Sequence, residues 1–360
     1  STSVCRFQGA TETWFCTPLI DPTPNVITSI ELPQNFPNPP IVYAGTDIGL
    51  YISTNGGATF TFDDTFPVPP SEHLYISEIA FHPQFDGVSN QTVFVVRGGS
   101  LFKRVFNGGQ WEWQLWGQSS FPSYDVQHIA ISPNFQSGDQ YVAVTLNNPQ
   151  YPQNNGVWLS SDGGNFFINI THNLPDKYPK TIKFLQTTSE LKLFTGLRRE
   201  KLWFTTAPSF SNWQQSLGWE TSPSCVNATL MSSGALPTNC TVLPTPTDIF
   251  IGTCKGVYWS NDGGENYRPI NQGLVNSVTA QGCVPFDVLS LHIENTLDPI
   301  RPVLLAGTNG KGVWYREATE VDLNGLTGWD WSEGNWIQAT GIPTNSVVYN
   351  FSDERGLPNN

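Results

Sequence analysis

Charge is what this 360-residue chain has least of. Asp, Glu, Lys and Arg make up 13% of it, against about 25% in average globular proteins. The charge that is present leans acidic, with 30 Asp and Glu to 17 Lys and Arg and a net value of −13. Nucleic acids and anionic membranes are bound by cationic surface, so this bulk charge excludes both as general partners. No apolar run approaches the ~18 residues of a transmembrane helix, so no membrane span is expected. One Met, few Lys and little Ala exclude a long all-helical chain. Signatures of chemistry are scarce as well. No cysteine sits in a C-x-x-C pair, and neither a G-x-S-x-G nor a phosphate loop occurs. His73, His82, His128, His172 and His292 show no metal spacing such as H-E-x-x-H. No cofactor is expected.

What the chain has is strand and turn material: 32 Gly, 28 Pro, 13 Trp and 22 Phe. Its six cysteines are Cys5, Cys16, Cys225, Cys240, Cys254 and Cys283. An even count without metal spacing favours disulfides and an extracellular, oxidising compartment. The start at Ser1, without Met, implies processing or trimming. Cys225–Cys240 and Cys254–Cys283 are the nearest-neighbour pairings, and the connectivity stays open. Sequons at Asn90, Asn169, Asn227, Asn239 and Asn350 permit N-glycosylation, though a chain this rich in Asn, Ser and Thr would show about as many by chance.

One pattern recurs along the chain, a small or polar residue followed by an aliphatic and an aromatic. It reads Gly49-Leu50-Tyr51, Ser100-Leu101-Phe102, Gly156-Val157-Trp158, Lys201-Leu202-Trp203, Gly256-Val257-Tyr258 and Gly312-Val313-Trp314. The copies fall 45 to 56 residues apart. Each follows an apolar run: Ile41–Gly45, Thr92–Val96, Tyr141–Thr145, Leu193–Thr195, Ile249–Gly252 and Val303–Gly307. An alternating stretch opens several units, as in Ile76–Phe81 and Val126–Ile131. Short alternating runs bounded by turn residues read as strands. A period near fifty fits four-stranded propeller blades.

Between the third and fourth strands the most specific motif appears: Ser53-Thr54-Asn55-Gly56-Gly57, Ser160-Ser161-Asp162-Gly163-Gly164 and Ser260-Asn261-Asp262-Gly263-Gly264. The acidic or amide side chain accepts backbone N–H groups within the turn, and the glycines take a positive φ. An aromatic follows to fill the gap between sheets. Trp14, Phe60, Trp111, Phe166, Trp213, Tyr267 and Trp336 are read as opening seven equivalent outer strands. In this motif the chain resembles the Asp-box, or BNR-repeat, sialidase-like propellers.

The resemblance implies an all-β, seven-bladed β-propeller in one domain over residues 1–360. The last blade is shared by residues 1–19 and 345–354, with Cys5 facing Cys16 across a hairpin and Ser346–Phe351 as a first strand. Inserts are expected at 221–247 and 271–287. That last blade has no candidate second strand: closure with three strands, a strand lost by trimming, and a strand donated by another molecule are the alternatives. The last of these would make the chain self-associate.

The resemblance also implies that Asn55, Asp162 and Asp262 are structural, because Asp-box turns lie opposite the ligand face. The arginine triad and Phe/Tyr-Arg-Ile-Pro motif of sialidases are missing, and Cys5-Arg6-Phe7-Gln8 does not replace them. Glu72, Asp125, Glu294 and Asp353 lie near strand ends without spacing that pairs them as glycosidase carboxylates. On the ligand face, turns between second and third strands carry Arg97, Arg198, Arg199, Lys255 and Lys311, a candidate pocket for a carboxylate or sulfate of an acidic glycan or peptide. Tyr151, in the loop 147–155, suits stacking on a sugar. The reading is a secreted or cell-surface propeller that binds or assembles rather than catalyses. The alternatives are a glycoside hydrolase or lyase of the sialidase-like group, identifiable by paired carboxylates with one pKa raised, and a receptor domain.

Overall fold

The computed structural model describes residues 2–339, except 9–12, 35, 37, 68–74, 118–119, 121–124, 136–138, 149, 187–189, 198–201, 218–225, 232–247, 275–276, 280–281, 285–286, 295–301, 309–310 and 323–326. The described residues divide into two compact units, one up to residue 184 and the other from residue 185 onward.

Strands repeat in antiparallel sheets of four. In the first unit the sheets are Ile27–Glu31, Val42–Thr46, Leu50–Ser53, Thr61–Phe62; then Ile76–Phe81, Val93–Arg97, Ser100–Asn107, Gln110–Trp116; then Val126–Ile131, Val142–Leu146, Gly156–Ser160, Ile168–Asn169. Strand Pro179–Gln186 runs across the division and shares a sheet with Leu191–Leu197, Leu202–Thr206 and Gln214–Gln215. The second unit continues with Val226–Met231, Ile249–Thr253, Gly256–Ser260, Arg268–Pro269, and then Val288–Glu294, Val303–Thr308, Gly312–Glu317, Ile337–Gln338.

Second strands such as Val42–Thr46, Val142–Leu146 and Ile249–Thr253 are buried at every residue, which explains their unbroken apolar runs. Neighbouring sheets cover both faces. One cluster joins Tyr43 and Leu50 to Ile79 and Phe102, and another joins Phe250 and Trp259 to Leu304 and Trp331.

Three third strands begin at a glycine, Gly156, Gly256 and Gly312, and at the first two the reason is local. Gly156 and Gly256 have φ of 125° and 92°, which side chains disfavour. A Cβ there would strike Thr171 Oγ1 or Asn271 Oδ1. Those same oxygens accept the N–H of Val157 at 3.1 Å and of Val257 at 2.7 Å.

The serine–glycine turns carry the expected hydrogen bonds. Ser160 Oγ accepts the N–H of Gly164 at 2.8 Å, and Asp162 Oδ1 accepts those of Asn165 and Phe166, both at 3.0 Å. Ser260 and Asp262 repeat this with Gly264, Glu265 and Asn266 at 3.0, 3.0 and 2.9 Å. In the first sheet Ser53 and Asn55 hold Gly57 and Thr59, both at 2.9 Å.

A further regularity went unread in the sequence. The carbonyl of the first glycine in each of these turns accepts from a basic side chain that lies outside the turn's own sheet. Arg6 Nη1 reaches Gly56 at 3.3 Å, Lys103 Nζ reaches Gly163 at 3.1 Å and Lys192 Nζ reaches Gly263 at 3.4 Å.

Expectations change in the number of sheets and in the aromatic that packs. Six four-stranded sheets are present among the described residues, not seven. The N-terminal segment forms only a two-stranded hairpin, Ser3–Gln8 with Thr13–Pro18, in which Cys5 opposes Cys16; residues 345–354 lie outside the described residues. The aromatic that packs in the third sheet is Phe167, 1% exposed, whereas Phe166 is 57% exposed. The acceptor Asp162 spends the N–H groups of 165 and 166, so the chain turns inward one residue later, as Tyr267 does after Asp262. Finally, the segments read as inserts contain strands. Val226–Met231 pairs with Ile249–Thr253, and Ser277–Thr279 forms a hairpin with Gly282–Val284.

The turn bonds set a first prediction. Replacing Asp262 by Ala removes the acceptor of two exposed turn N–H groups, those of Glu265 and Asn266, at about 0.5–1.5 kcal/mol. Asp262→Ala should lower the urea midpoint of unfolding with an unchanged slope, while Glu265→Ala should leave it within error.

Candidate functional site

The turns between second and third strands lie at one end of their sheets. In the second unit they bring out Lys255 and Lys311, both exposed and each directly before the glycine of a third strand. Their sheets are neighbours that share the Phe250–Leu304 core. The main chain beneath each lysine is tied down: Asn271 Nδ2 donates to the Lys255 carbonyl at 3.2 Å, and Trp314 Nε1 to that of Lys311 at 3.1 Å. The lysines therefore project from fixed turns. Arg198 and Arg199 lie outside the described residues.

Arg97 stands differently from the expectation. It ends a second strand, is 3% exposed, and donates to the carbonyls of Pro67 at 2.9 Å and Ile48 at 2.8 Å. Its guanidinium also lies 5.4 Å from the Phe66 ring. It is built into the packing of the first unit. Tyr151 is 49% exposed in the same loop class. Its N–H donates to Asn148 Oδ1 at 3.2 Å, just before a short 3-10 turn at Pro152–Asn154.

A cluster that the sequence reading did not single out lies on the first strands of the first unit. Those strands are cross-linked side by side: Thr28 Oγ1 donates to the Ile76 carbonyl, and Ser77 Oγ to that of Gln127 at 3.2 Å. This brings together Glu31, Glu78, His128 and Lys183. Glu78 is held by His128 Nδ1 at 2.6 Å and by Lys183 Nζ at 3.7 Å. Desolvation pushes the pKa of Glu31 up to about 7; Lys183 pulls it down, and Glu78 pushes it further up. Glu31 is an exposed residue at the end of its strand, while protein atoms surround its carboxyl closely enough to desolvate it. Glu78 and His128 each sit just past the same register shift in successive first strands, a correspondence that the strand pairing reveals and the sequence does not.

Asn55, Asp162 and Asp262 are at the other end of their sheets, bound within their turns. Burial opposes ionisation of Asp262, but hydrogen bonds from Asn266, Ser260 and Glu265 outweigh it and hold its pKa below the usual range. Among the described residues no His, Cys, Asp and Glu group has metal-binding geometry.

Cys5 and Cys16 are disulfide-linked, and Cys254 is also in a disulfide. Cys225 and Cys240 lie outside the described residues, as does the side chain of Cys283. Of the sequons, Asn169 is exposed on an outer strand, while Asn90 Nδ2 is within 3.0 Å of His82 Nδ1. Asn239 and Asn350 fall outside the described residues, with the side chain of Asn227.

No protein-family model matches the chain, and no curated protein matches it. Among solved structures it is similar to the extracellular domain of a putative one-component system from B. thetaiotaomicron, with 13% identity and a TM-score of 0.52. That match covers 81% of this chain and 31% of the other, so the chain spans about a third of its length. YCF48 from Cyanidioschyzon merolae is similar at 15% identity and TM-score 0.48, with 83% of each chain covered. An ancestral GH74 enzyme is similar at 17% identity and TM-score 0.34, covering 90% of this chain and 57% of that one. At these identities the likeness shows the fold alone: this is an all-β protein of the β-propeller class. No helix among the described residues is long and apolar enough to cross a membrane.

The raised pKa of Glu31 gives a signed pH dependence. The folded protein holds this proton up to about pH 7, whereas an unfolded Glu releases it near 4.5. The associated stability is therefore complete in acid and lost as pH rises through about 7. Glu31→Gln removes that loss. The urea midpoint of the variant should gain on wild type from about pH 5 to pH 8, and a constant difference over that range would exclude a raised pKa.

Proposed function

We propose that this chain is an extracellular propeller of the Asp-box type that works by binding an acidic ligand, a sulfated or carboxylated glycan or an acidic peptide, rather than by catalysis. The observation that carries this reading is the pair Lys255 and Lys311. Two neighbouring sheets present an exposed lysine at the same point of the same turn, on pinned main chain. In a chain of net charge −13, two cations at equivalent turns form a local site for an anion against a repelling background. Arg198 and Arg199, basic residues of the preceding repeat in the sequence, are proposed to add to this set. The disulfide of Cys5 with Cys16 supports an oxidising compartment. The serine–aspartate turns support the Asp-box assignment by their hydrogen bonds. A ring completed by residues 345–354 remains part of this proposal.

The enzymatic reading has one observation in its favour. Glu31, with a pKa pushed up to about 7 in part by Glu78, belongs to a carboxyl pair of the general kind that a glycoside hydrolase uses. Against it, Glu78 is already engaged by His128 and Lys183.

Two measurements separate the readings. Titration calorimetry with a sulfated oligosaccharide should show salt-dependent binding, weakened about tenfold or more in Lys255→Ala with Lys311→Ala. Equal affinity in wild type and variant would overturn the binding reading. Hydrolysis of aryl glycosides that disappears in Glu31→Gln would establish the enzymatic one.

A further inference from the structure

Among the described residues, one fourth-strand edge differs from the other five. In five of the six four-stranded sheets the fourth strand is two residues long: Thr61–Phe62, Ile168–Asn169, Gln214–Gln215, Arg268–Pro269 and Ile337–Gln338. Short edges of this kind give a strange chain little to pair with. In the second sheet the fourth strand is seven residues, Gln110–Trp116, with no Pro, Lys or Arg. It is the terminal strand of its sheet, and among the described residues no hydrogen bond is made to the backbone groups that it turns away from Ser100–Asn107. In an antiparallel pair, alternate residues point N–H and C=O outward in this way.

The hairpin also outruns its sheet. Val93–Arg97 pairs only with Ser100–Lys103, so Arg104–Asn107 is paired on one side alone, by Gln110–Trp113. Isolated two-stranded ribbons are marginal in water. The base of this one is anchored: Arg104 Nη1 donates to the Tyr43 hydroxyl at 2.9 Å, and Trp113 Nε1 to Asp63 Oδ2 at 2.9 Å. Its tip is left with Phe106, 62% exposed, against Trp111 at 5.5 Å between ring centroids.

We infer that the edge Gln110–Trp116 pairs with the same edge of a second copy of this chain, antiparallel about a two-fold axis at Trp113, to form a continuous eight-stranded sheet. The argument for this occupant is the sequence Gln-Trp-Glu-Trp-Gln-Leu-Trp itself, which is nearly self-complementary when reversed. With the axis at Trp113, Trp111 faces Leu115 of the second copy and Glu112 faces Gln114 of the second copy. Apolar meets apolar on one face, and a carboxylate meets an amide on the other. The exposed Phe106–Trp111 tip then lies beside the partner's Leu115. Other registers match less well: an axis at Gln114 sets Glu112 against Trp116 and leaves Gln110 and Trp111 beyond the partner's strand. An axis at Glu112 puts two carboxylates opposite each other, and an axis between residues sets apolar side chains against polar ones. Within the chain Glu112 already accepts from Gln114 Nε2 at 2.6 Å, so the two groups are chemically matched. Isologous pairing of one patch with itself closes at a dimer. Each copy carries −13, so association should strengthen as salt screens the repulsion.

Sedimentation velocity on the full chain tests this by charge exchange. Wild type should form a reversible dimer that tightens between low and moderate salt. The double variant Glu112→Lys with Gln114→Lys should be monomeric, since its lysines oppose one another across the axis. Gln114→Glu should be monomeric because carboxylates then do so. An equimolar mixture of the two should recover the dimer at low salt, about tenfold or more tighter than either alone. That recovery also shows that both variants fold. A wild type that stays monomeric, a homodimer that survives in either variant, or a mixture that fails to associate would overturn the inference.

Discussion

Three of the six four-stranded sheets depend on one small device, the turn in which a serine hydroxyl and an Asn or Asp side chain take up backbone N–H groups that the glycine pair leaves exposed. The turn ends one sheet and begins its fourth strand. The basic side chain that donates to the first glycine carbonyl comes from outside that sheet. Arg6, Lys103 and Lys192 do this at Gly56, Gly163 and Gly263. Each turn thereby becomes a junction between layers rather than a surface loop. Lys103 shows how deep the junction lies. Burial pulls its pKa down to about 8, although Asp162 opposes the shift, and its ammonium sits 4.5 Å from the Trp116 ring. The scarcity of charge in this chain is consistent with such use, because several of its few cations are embedded as structural donors.

That use of cations sharpens the functional argument. Arg97 and Arg316 are buried and donate to main-chain carbonyls, and Lys192 is 4% exposed. Lys255 and Lys311 are exposed on turns at the opposite end from the serine–glycine junctions. The fold separates cations that hold sheets together from cations that are presented. The Glu31, Glu78, His128 and Lys183 group is a third arrangement, in which opposite charges meet on adjacent first strands and one carboxyl keeps its proton to near neutrality.

Much of this was legible in the sequence because the signals are local. Ile76–Phe81 and Val126–Ile131 alternate over six residues and fold with those bounds. The opposition of Cys5 and Cys16 follows from the hairpin around them. The misreading of Phe166 for Phe167 shows the limit of pattern matching: both are aromatic, and only the hydrogen bonds to Asp162 decide which one turns inward. The strand Val226–Met231 was hidden in a segment without alternation strong enough to separate it from an insert. The acid–base cluster joins residues about 50 apart, each unremarkable in its own strand, and only the lateral stacking of first strands reveals it. Burial of Arg97 was equally invisible, since the end of a second strand and the start of an exposed turn are one residue apart.

On the function proposed above, the two ends of the sheets have different duties, one to join layers and the other to receive a ligand. Hydrogen–deuterium exchange with and without a sulfated oligosaccharide examines this most directly. The account predicts ligand-dependent protection in the turns around Lys255 and Lys311, with Ser160–Phe167 and Ser260–Tyr267 unchanged. Protection at the serine–glycine turns instead, with none around the two lysines, would contradict it.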